Sequence, residues 1–389
     1  MKQNENSKHK LLIFSDWFYP GYKAGGPIKS VTNLSIALQQ RVDVFVFTAN
    51  ADLNETKPYP NIQPNTWIKP IEGSNVQVYY CSKENLNRAT IKVIIKEVNP
   101  TSVYLNHLWS FWFVLQPLFI CWLNFKKIKI VLCPRGALFE SALHYLNTYK
   151  KKKVVMMILK TLGIHKKIHF HATTPQEKET IEKYFGNVNI SIANNLPDLQ
   201  QPTLSIIEKK QGELKLVFIA RIVDIKNLKL LLQNLQNVTS NIALTIAGPT
   251  EDKNYWEECK SIIAKFTSNI QVNYVGEITP IQVMPLIKEH HLYCLPTQGE
   301  NFGHSIFESF MIGRPVLISN KTPWLNLNEK KAGWEVDIIQ PNSFVPFLEE
   351  AANWQQQAFD EYCKGAWQVA NEYINNPKLV STYYPMFEN

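Results

Sequence analysis

Apolar and polar residues follow two different periods along the first half of the chain. Short apolar runs at residues 10–15 and 42–48 predict buried strands, and residues 91–98 have the spacing of an amphipathic helix. Further strands are predicted at 75–80, 103–105, 129–133 and 169–172, and further helices at 31–38, 154–162 and 175–184. Strands and helices in alternation predict a parallel, doubly wound sheet.

An apolar and aromatic stretch at residues 108–125 is close to the length of a membrane span. Gln116, Pro117 and Asn124 interrupt it, and predicted strands lie on both sides of it. These interruptions favour a buried core helix over a transmembrane helix.

The pattern breaks at residues 194–198, and residues 200–212 are polar without clear periodicity, which predicts a linker between two domains. The alternation then restarts, with strands predicted at 214–220, 243–247, 270–275, 292–295 and 315–319, and helices at 227–235, 256–266, 281–289 and 305–311. The predicted fold class is therefore α/β, with two Rossmann-like doubly wound domains at residues 1–200 and 201–375. Ligands on such sheets bind outside the carboxyl ends of the strands, so two such edges facing each other would form a cleft.

Composition fits a two-domain globular protein and argues against zinc-binding, disulfide-rich and secreted proteins. The 389 residues are too many for one ordinary core, and 45% hydrophobic against 19% charged residues is a globular balance. Six scattered cysteines without a Cys-x-x-Cys pair argue against a zinc site or a disulfide framework and fit a reducing cytoplasm. Residues 1–10 are polar and charged, so they do not resemble a secretory leader.

Positive charge is concentrated in the first half of the chain. Residues 1–200 contain 25 Lys and Arg against 13 Asp and Glu, and residues 126–167 contain 11 basic side chains and a single acid, Glu140. A solvated face is one interpretation. The other is a surface for an anionic partner, such as membrane headgroups or a phosphorylated acceptor. No nucleic-acid-binding motif accompanies the charge, so nucleic acid is not a predicted partner.

The segment from Gly299 to Glu308 carries the strongest candidate chemistry. A predicted strand ends at residue 295, a glycine-containing turn follows, and Ser305 opens a predicted helix whose backbone amides suit a phosphate. Glu300 and Glu308 lie before this helix and within it, and carboxylates accept hydrogen bonds from sugar and ribose hydroxyls. From spacing alone, an ordinary surface acid at position 308 that complements the helix dipole remains the alternative.

The motif Glu300-x7-Glu308, within LPTQGENFGHSIFE and followed by Gly-Arg-Pro-Val at 313–316, resembles that of the retaining family 4 glycosyltransferases. The resemblance covers nearly the whole chain and implies the GT-B fold. It implies that Glu300 contacts the transferred sugar, that the loop amides hold the donor and that Glu308 binds the ribose. The predicted nucleotide-sugar-binding residues in this segment are Asn301, Phe302, Gly303, His304, Ser305 and Glu308.

Arg221 and Lys226 match a second element of the family, an Arg followed five residues later by a Lys after the first strand of the C-terminal domain. Two cations at a strand end suit a diphosphate leaving group that gains charge as the glycosidic bond breaks. Ala220 and Asn227 depart from the glycines that the family often has beside these residues.

Three further elements of the N-terminal half resemble the family. The loop with Gly25 and Gly26 resembles the Gly-Gly loop that faces the donor phosphates, and His107 stands where a His lies near the donor sugar. A buried structural histidine remains the alternative for His107. Arg135 falls in Cys-Pro-Arg-Gly, where many relatives have His-Gly, and together with Tyr19 it is predicted to bind the acceptor. Residues 376–389 are predicted to form a terminal helix that returns to the first domain, as in relatives.

The resulting prediction is a retaining, metal-independent glycosyltransferase that transfers a hexosyl or N-acetylhexosaminyl group. Its donor is a nucleotide diphosphate sugar, and its acceptor is a glycan or a polyprenyl-diphosphate-linked saccharide in cell-surface polysaccharide biosynthesis. No Asp-x-Asp motif or His/Cys cluster is present, so no metal or other cofactor is predicted. The basic region with Trp109, Trp112 and Trp122 motivates peripheral association with an anionic membrane at the cytoplasmic face. A nucleotide-sugar epimerase of the same fold and a non-catalytic carbohydrate-binding protein are the alternatives.

Overall fold

The computed structural model describes residues 9–144 and 148–387. Residues 1–8, which formed most of the segment judged not to be a secretory leader, lie outside the described residues, as do residues 388 and 389 of the predicted terminal helix. The chain divides into two compact units. Unit 1 comprises Met1–Leu199 with Pro377–Asn389, and unit 2 comprises Gln200–Asn376.

Unit 1 is built on one sheet with the strand order β3-β4-β2-β1-β5-β6-β7-β8, in which every pair except β3–β4 is parallel. Its strands are β1 (His9–Phe14), β2 (Val42–Ala49), β3 (Trp67–Ile68), β4 (Gln77–Cys81), β5 (Ser102–Asn106), β6 (Lys129–Cys133), β7 (Ile168–Ala172) and β8 (Asn189–Ile192). Its helices are α1 (Gly26–Leu38), α2 (Arg88–Val98), α3 (Gln116–Asn124), α4 (Glu140–His144), α5 (Tyr149–Thr161) and α6 (Pro175–Phe185).

Unit 2 is built on a fully parallel sheet with the order β11-β10-β9-β12-β13-β14. Its strands are β9 (Glu213–Ile219), β10 (Asn241–Ala247), β11 (Ile270–Gly276), β12 (Leu292–Leu295), β13 (Val316–Ser319) and β14 (Gly333–Val336). Its helices are α7 (Leu228–Leu235), α8 (Lys253–Ile263), α9 (Pro280–Lys288), α10 (His304–Met311), α11 (Val345–Asn353) and α12 (Gln356–Ile374). The α/β fold class of two doubly wound domains is therefore confirmed.

The apolar stretch at 108–125 forms a π-helical turn, Phe111–Leu115, that continues into α3. Phe113, Val114 and Leu118 are buried in the core of unit 1. Within the described parts of the chain, no helix combines the length and the apolar character that crossing a membrane requires. The core-helix prediction is right in kind, although the helix is shorter than the apolar run because Pro117 occupies its first turn.

The irregular segment at 200–212 belongs to unit 2 and packs on it. The backbone N–H groups of Thr203 and Ser205 donate to the carbonyls of Met311 and Ile312 at the end of α10. Arg314, which is fully buried, donates to the carbonyl of Ser205 and, at 2.9 Å, to that of Lys288 at the end of α9. A periodic pattern is missing here because tertiary hydrogen bonds, and no strand or helix, fix this segment.

The last residues of the chain pack on unit 1 as two helical turns, α13 (Lys378–Ser381) and α14 (Tyr384–Phe387). The Ser102 hydroxyl donates to the carbonyl of Phe387 at 2.8 Å, and the Tyr383 hydroxyl donates to that of Asn194 at 2.6 Å. Two residues separate the turns, and Pro385, which lies in α14 and has no backbone N–H, disfavours one continuous helix.

Candidate active site

The candidate site of unit 2 lies at the carboxyl ends of two neighbouring strands, at the point where successive strands begin to be added on the other side of the sheet. β10 and β11 lie on one side of β9, and β12 to β14 lie on the other. β9 and β12 are parallel neighbours, so the loops at their carboxyl ends start side by side. The first loop carries Arg221 and Lys226, and the second carries Glu300. This is the topological switch point at which doubly wound sheets bind ligands.

Direct contacts join these two loops. The Lys226 ammonium donates to the Glu300 carboxylate, and the two side chains are 16% and 18% exposed. The Gln298 backbone N–H donates to the carbonyl of Ile225 at 2.8 Å, and its side-chain amide donates to Asp224 at 3.1 Å. The cation and the carboxylate from two sequence-distant motifs therefore form one ion pair that is shielded on most sides yet open to a ligand.

Arg221 does not join this pair. Its guanidinium donates to Glu251 at 2.9 Å, and both side chains are more than one-third exposed. Glu251 follows β10, and no sequence pattern singled it out. Asn227 adopts a left-handed conformation, with φ of 59°. Asn tolerates this conformation better than most residues with a side chain, which accounts for its standing where the family often has Gly.

Gly303 precedes α10 with φ of 74°, and a Cβ there would lie 2.7 Å from Cδ1 of Ile306. Only glycine fits this turn without strain. In the part of the chain that the structure describes, no side chain caps the first turn of α10. Such a helix start suits an anion, because the first N–H groups of a helix have no acceptor within the helix itself.

The side chain of Phe302 is a packing anchor. It is buried among Phe307, Trp324 and Tyr373, with ring centroids 5.3–5.8 Å away, and its carbonyl accepts from the Trp324 indole at 2.5 Å. The side chain of Phe302 is therefore engaged in packing, and donor binding by this residue stays a prediction. His304 lies against the same ring, at 4.9 Å between centroids.

Ser305 is tied to the sheet below it. Its hydroxyl lies 2.7 Å from the hydroxyl of Tyr293, which in turn donates to the carbonyl of Ile219 at 3.2 Å. This chain links the start of α10 to the end of β9. Asn301 and Glu308 lie on either side and are partly exposed.

Unit 1 has a switch point of its own, because β2 and β5 lie on opposite sides of β1. The loop after β1 contains Tyr19, Gly25 and Gly26, and the residue after β5 is His107. Gly25 has φ of 70° and stands at the start of α1, with open space where a Cβ would be. Tyr19 is exposed.

A side chain that no pattern predicted holds this loop in place. The Asp52 carboxylate accepts from the backbone N–H groups of Tyr22 and Lys23 at 2.8 and 3.1 Å. The Tyr80 hydroxyl donates to the carbonyl of Tyr19. These three hydrogen bonds anchor the glycine loop within unit 1.

His107 has φ of 83°, which a residue with a side chain rarely adopts. Its Nδ1 accepts from the backbone N–H of Trp109 at 3.3 Å, so the ring proton is on Nε2. Burial, with Lys152 and Arg135 nearby, lowers the pKa of His107 to about 4. The ring is therefore neutral near neutral pH and offers an Nε2–H donor, which suits a hydroxyl ligand and excludes a proton-donating imidazolium.

Arg135 is the hub of a buried polar network. Its guanidinium donates to the side-chain oxygens of Asn106 (2.9 Å), Asn195 and Tyr104 (3.2 Å). The Tyr104 hydroxyl lies 2.9 Å from Nδ1 of His171. These bonds use three of the guanidinium donors to join neighbouring strand ends, so the arginine has a clear structural role. Acceptor binding by Arg135 and Tyr19 stays a prediction.

Asp16 is a further acid at the switch point of unit 1 that no motif indicated. It lies two residues after the end of β1 and is half-buried. Its carboxylate accepts a hydrogen bond from the Ser110 hydroxyl at 2.6 Å. Burial raises the pKa of Asp16 from 3.8 to about 6, although the bond from Ser110 opposes the shift. A carboxylate at this place can accept a hydrogen bond from a substrate hydroxyl.

Asp16→Asn is expected to stabilise the protein at about pH 7.5 and not at about pH 4. Between the unfolded-state pKa of 3.8 and the folded-state pKa of about 6, the folded state holds a proton that the unfolded state has released, so stability falls as pH rises through this range. Removing the charge should therefore gain about 1–2 kcal/mol in the free energy of unfolding above that range. Urea unfolding at both pH values measures it. A loss of stability at pH 7.5 would show that the carboxylate is not penalised by burial.

Among the residues that the structure describes, no group of three or more His, Cys, Asp and Glu is placed to hold a metal ion. All six cysteines are buried and free of disulfide bonds.

Comparison with known proteins identifies the class of domain. Residues 201–345 match the family model of the glycosyl transferases group 1. No curated protein matches the chain in sequence.

Solved structures share the fold of the whole chain. HepE from Anabaena, in complex with UDP and glucose, has a TM-score of 0.70 at 12% identity, over 97% of this chain and 98% of that one. Sucrose-phosphate synthase from Thermosynechococcus elongatus has a TM-score of 0.69 at 13% identity, over 97% and 98%. A variant of S. aureus TarM, in complex with Fondaparinux, α-GlcNAc-glycerol and UDP, has a TM-score of 0.69 at 13% identity, over 98% and 100%. The chain thus has the GT-B fold of these structures, and residues 201–345 of its second unit resemble the group 1 glycosyl transferases.

Proposed function

We propose that this glycosyltransferase moves a hexosyl or N-acetylhexosaminyl group from a nucleotide diphosphate sugar to a saccharide acceptor, with retention of the anomeric configuration and without a metal ion. The observation that carries the proposal is the Lys226–Glu300 pair at the switch point of unit 2. A cation for the diphosphate and an acceptor for sugar hydroxyls stand together there. A helix start suited to phosphate follows immediately in the chain at α10.

In this proposal the diphosphate is held by Lys226 and by the leading N–H groups of α10. An incoming diphosphate competes with Glu300 for the ammonium, and the released carboxylate accepts from hydroxyls of the transferred sugar. Glu308 binds the ribose. Arg221 can turn to the diphosphate only by giving up its exposed bond to Glu251, which costs little.

The bond between the anomeric carbon and the diphosphate oxygen breaks, and the acceptor oxygen bonds to that carbon on the same face. The acceptor proton passes to the departing phosphate oxygen, so the step needs no protein base. Lys226 and Arg221 stabilise the charge that develops on the leaving group, which is the task a metal ion performs elsewhere. The neutral His107 contributes a hydrogen bond to a sugar hydroxyl.

The acceptor is proposed to be a glycan or a polyprenyl-diphosphate-linked saccharide, bound by unit 1 during cell-surface polysaccharide biosynthesis. Support comes from the net positive charge of the first half of the chain and from the activities of structural neighbours. One of these, WaaG, is described as a glycosyltransferase involved in lipopolysaccharide biosynthesis. TarM was captured with α-GlcNAc-glycerol and UDP.

Thermal-shift screening against a panel of nucleotide sugars identifies the donor, because a ligand that binds only the folded state raises its stability. Incubation of that donor with candidate acceptors in EDTA, followed by proton NMR, then reports the configuration of the product. We expect transfer with the donor's anomeric configuration. An inverted product or loss of activity in EDTA would refute the corresponding part. A second nucleotide sugar formed from donor alone would identify an epimerase.

A further inference from the structure

Helix α5 exposes a row of apolar side chains. Val154, Met157, Ile158 and Leu162 are 50%, 59%, 40% and 48% exposed. Their spacing places them on one face of the helix and its C-terminal cap, whereas the face that includes Met156 is buried in the core of unit 1. A surface helix normally has one apolar face, so the second one needs a partner.

The charge around this row has one sign. Between Glu140 and Glu177 the chain contains seven lysines and no acidic residue. Lys150, Lys151 and Lys153 are exposed in the first turns of α5, and none of them has an acidic partner among the described residues. The remaining lysines of this segment are Lys152, Lys160, Lys166 and Lys167.

The packing of α5 explains why this row, and not the tryptophans, is available. Trp109, Trp112 and Trp122 are partly buried against the core of unit 1, so the row on α5 is the more exposed apolar surface. A membrane role for the tryptophans stays a prediction. Lys152 turns inward, donates to the carbonyl of Ala142 at 2.7 Å and lies 5.7 Å from the Trp109 ring. The Trp109 ring thus contacts the inner side of α5, whereas the aliphatic row of α5 faces outward.

We propose that α5 lies in the surface of an anionic lipid bilayer, with its row of Val154, Met157, Ile158 and Leu162 in the acyl boundary and its lysines among the headgroups. Lysine-flanked aliphatic residues on one helix face are the pattern of an interfacial helix. Protein interfaces are depleted in lysine, which argues against a protein partner on the same face. Membrane binding by α5 does not depend on the proposed transfer reaction. It would, however, bring unit 1 to the surface in which a lipid-linked acceptor is anchored.

A dye at position 157 tests this directly. Because all six native cysteines are buried, Met157→Cys can be labelled selectively with the polarity-sensitive fluorophore NBD. Ile281→Cys, at an exposed apolar position on α9, provides the matched control. Vesicles of phosphatidylcholine with about 30% phosphatidylglycerol should shift the emission of the 157 label to the blue and leave the 281 label unchanged. Neutral vesicles and high salt should weaken the response.

Sedimentation with the same vesicles gives the second measurement, on unlabelled full-length protein. The variant Met157→Asp/Leu162→Asp should lower the partition coefficient by at least about tenfold, whereas Ile281→Asp/Ile339→Asp should not. Equal binding by both variants, or no binding of wild type at low salt, would overturn the proposal. Size-exclusion chromatography tests the alternative that a second copy of the chain covers the row on α5. A dimer that Met157→Asp/Leu162→Asp dissociates, without any vesicle binding, would assign the row to self-association instead.

Discussion

Glu300→Gln is expected to lower turnover by at least about a hundredfold while tightening the binding of the nucleoside diphosphate. The amide retains the size of the carboxylate but loses its charge, so it is a poorer acceptor for the sugar hydroxyls. Glu300 also forms an ion pair with Lys226. Its replacement removes a negative charge beside the proposed diphosphate position, which we expect to increase nucleotide affinity by about tenfold.

The two effects have opposite signs, and a general loss of structure would not produce them together. Steady-state rates with saturating donor measure the first effect, and calorimetric titration of the nucleoside diphosphate measures the second. Glu258→Gln is the matched control, because Glu258 forms an exposed pair with Lys229 only three residues beyond Lys226. Near-normal turnover in Glu300→Gln would remove this residue from the catalytic site.

Gly248→Ala is expected to destabilise unit 2 by at least about 3 kcal/mol and to lower activity with it. Gly248 has φ of 138°, and a Cβ there would lie 1.9 Å from the carbonyl oxygen of Ala220. The clash involves backbone on both sides, so no side-chain rotation relieves it. Ala220 immediately precedes Arg221, so any shift that relieves the clash also displaces the loop after β9. Urea unfolding followed by tryptophan fluorescence measures the stability.

Gly212→Ala separates this clash from the general cost of a left-handed residue. Gly212 also lies in unit 2 and has φ of 85°, but it has open space where the Cβ would be. We expect it to lose only about 1 kcal/mol. Equal losses in the two variants would show that the close approach of Gly248 to Ala220 does not constrain the loop.

The architecture could be predicted because its determinants are local or periodic. The buried strands are runs of four to eight residues in which apolar residues predominate. The start of α10 is marked by Gly303, and the motif around it has a fixed spacing in sequence. The strand order could not be read from any run of residues, yet it decides that the loops after β9 and β12 adjoin.

The supporting side chains escaped prediction because they act across the sheet. Asp16, Asp52 and Glu251 contact residues 29 to 94 positions away, and no local pattern distinguishes them from surface acids. Arg135 was interpreted as a ligand residue because its type suits anions. The structure shows its guanidinium bonding to side chains that the sequence places far apart. A motif gives residue types, whereas the packing of neighbouring strands decides which of them remain available to a ligand.

The same distinction applies to the basic region. Charge was evident from composition, but the outward-facing apolar row depends on which side of α5 packs on the core. Aromatic residues are large and apolar, so burial in the core competes with display at a membrane surface. Here all three tryptophans of the region are partly buried against the core.

The most direct test of the account is the affinity of nucleoside diphosphates for Lys226→Ala, measured by calorimetry beside wild type and Lys229→Ala. Both lysines pair with a glutamate, but only Lys226 stands at the switch point of unit 2. We expect Lys226→Ala to weaken binding of the preferred nucleotide by at least about tenfold and Lys229→Ala to leave it unchanged. Unchanged binding in Lys226→Ala would contradict the assignment of the donor site.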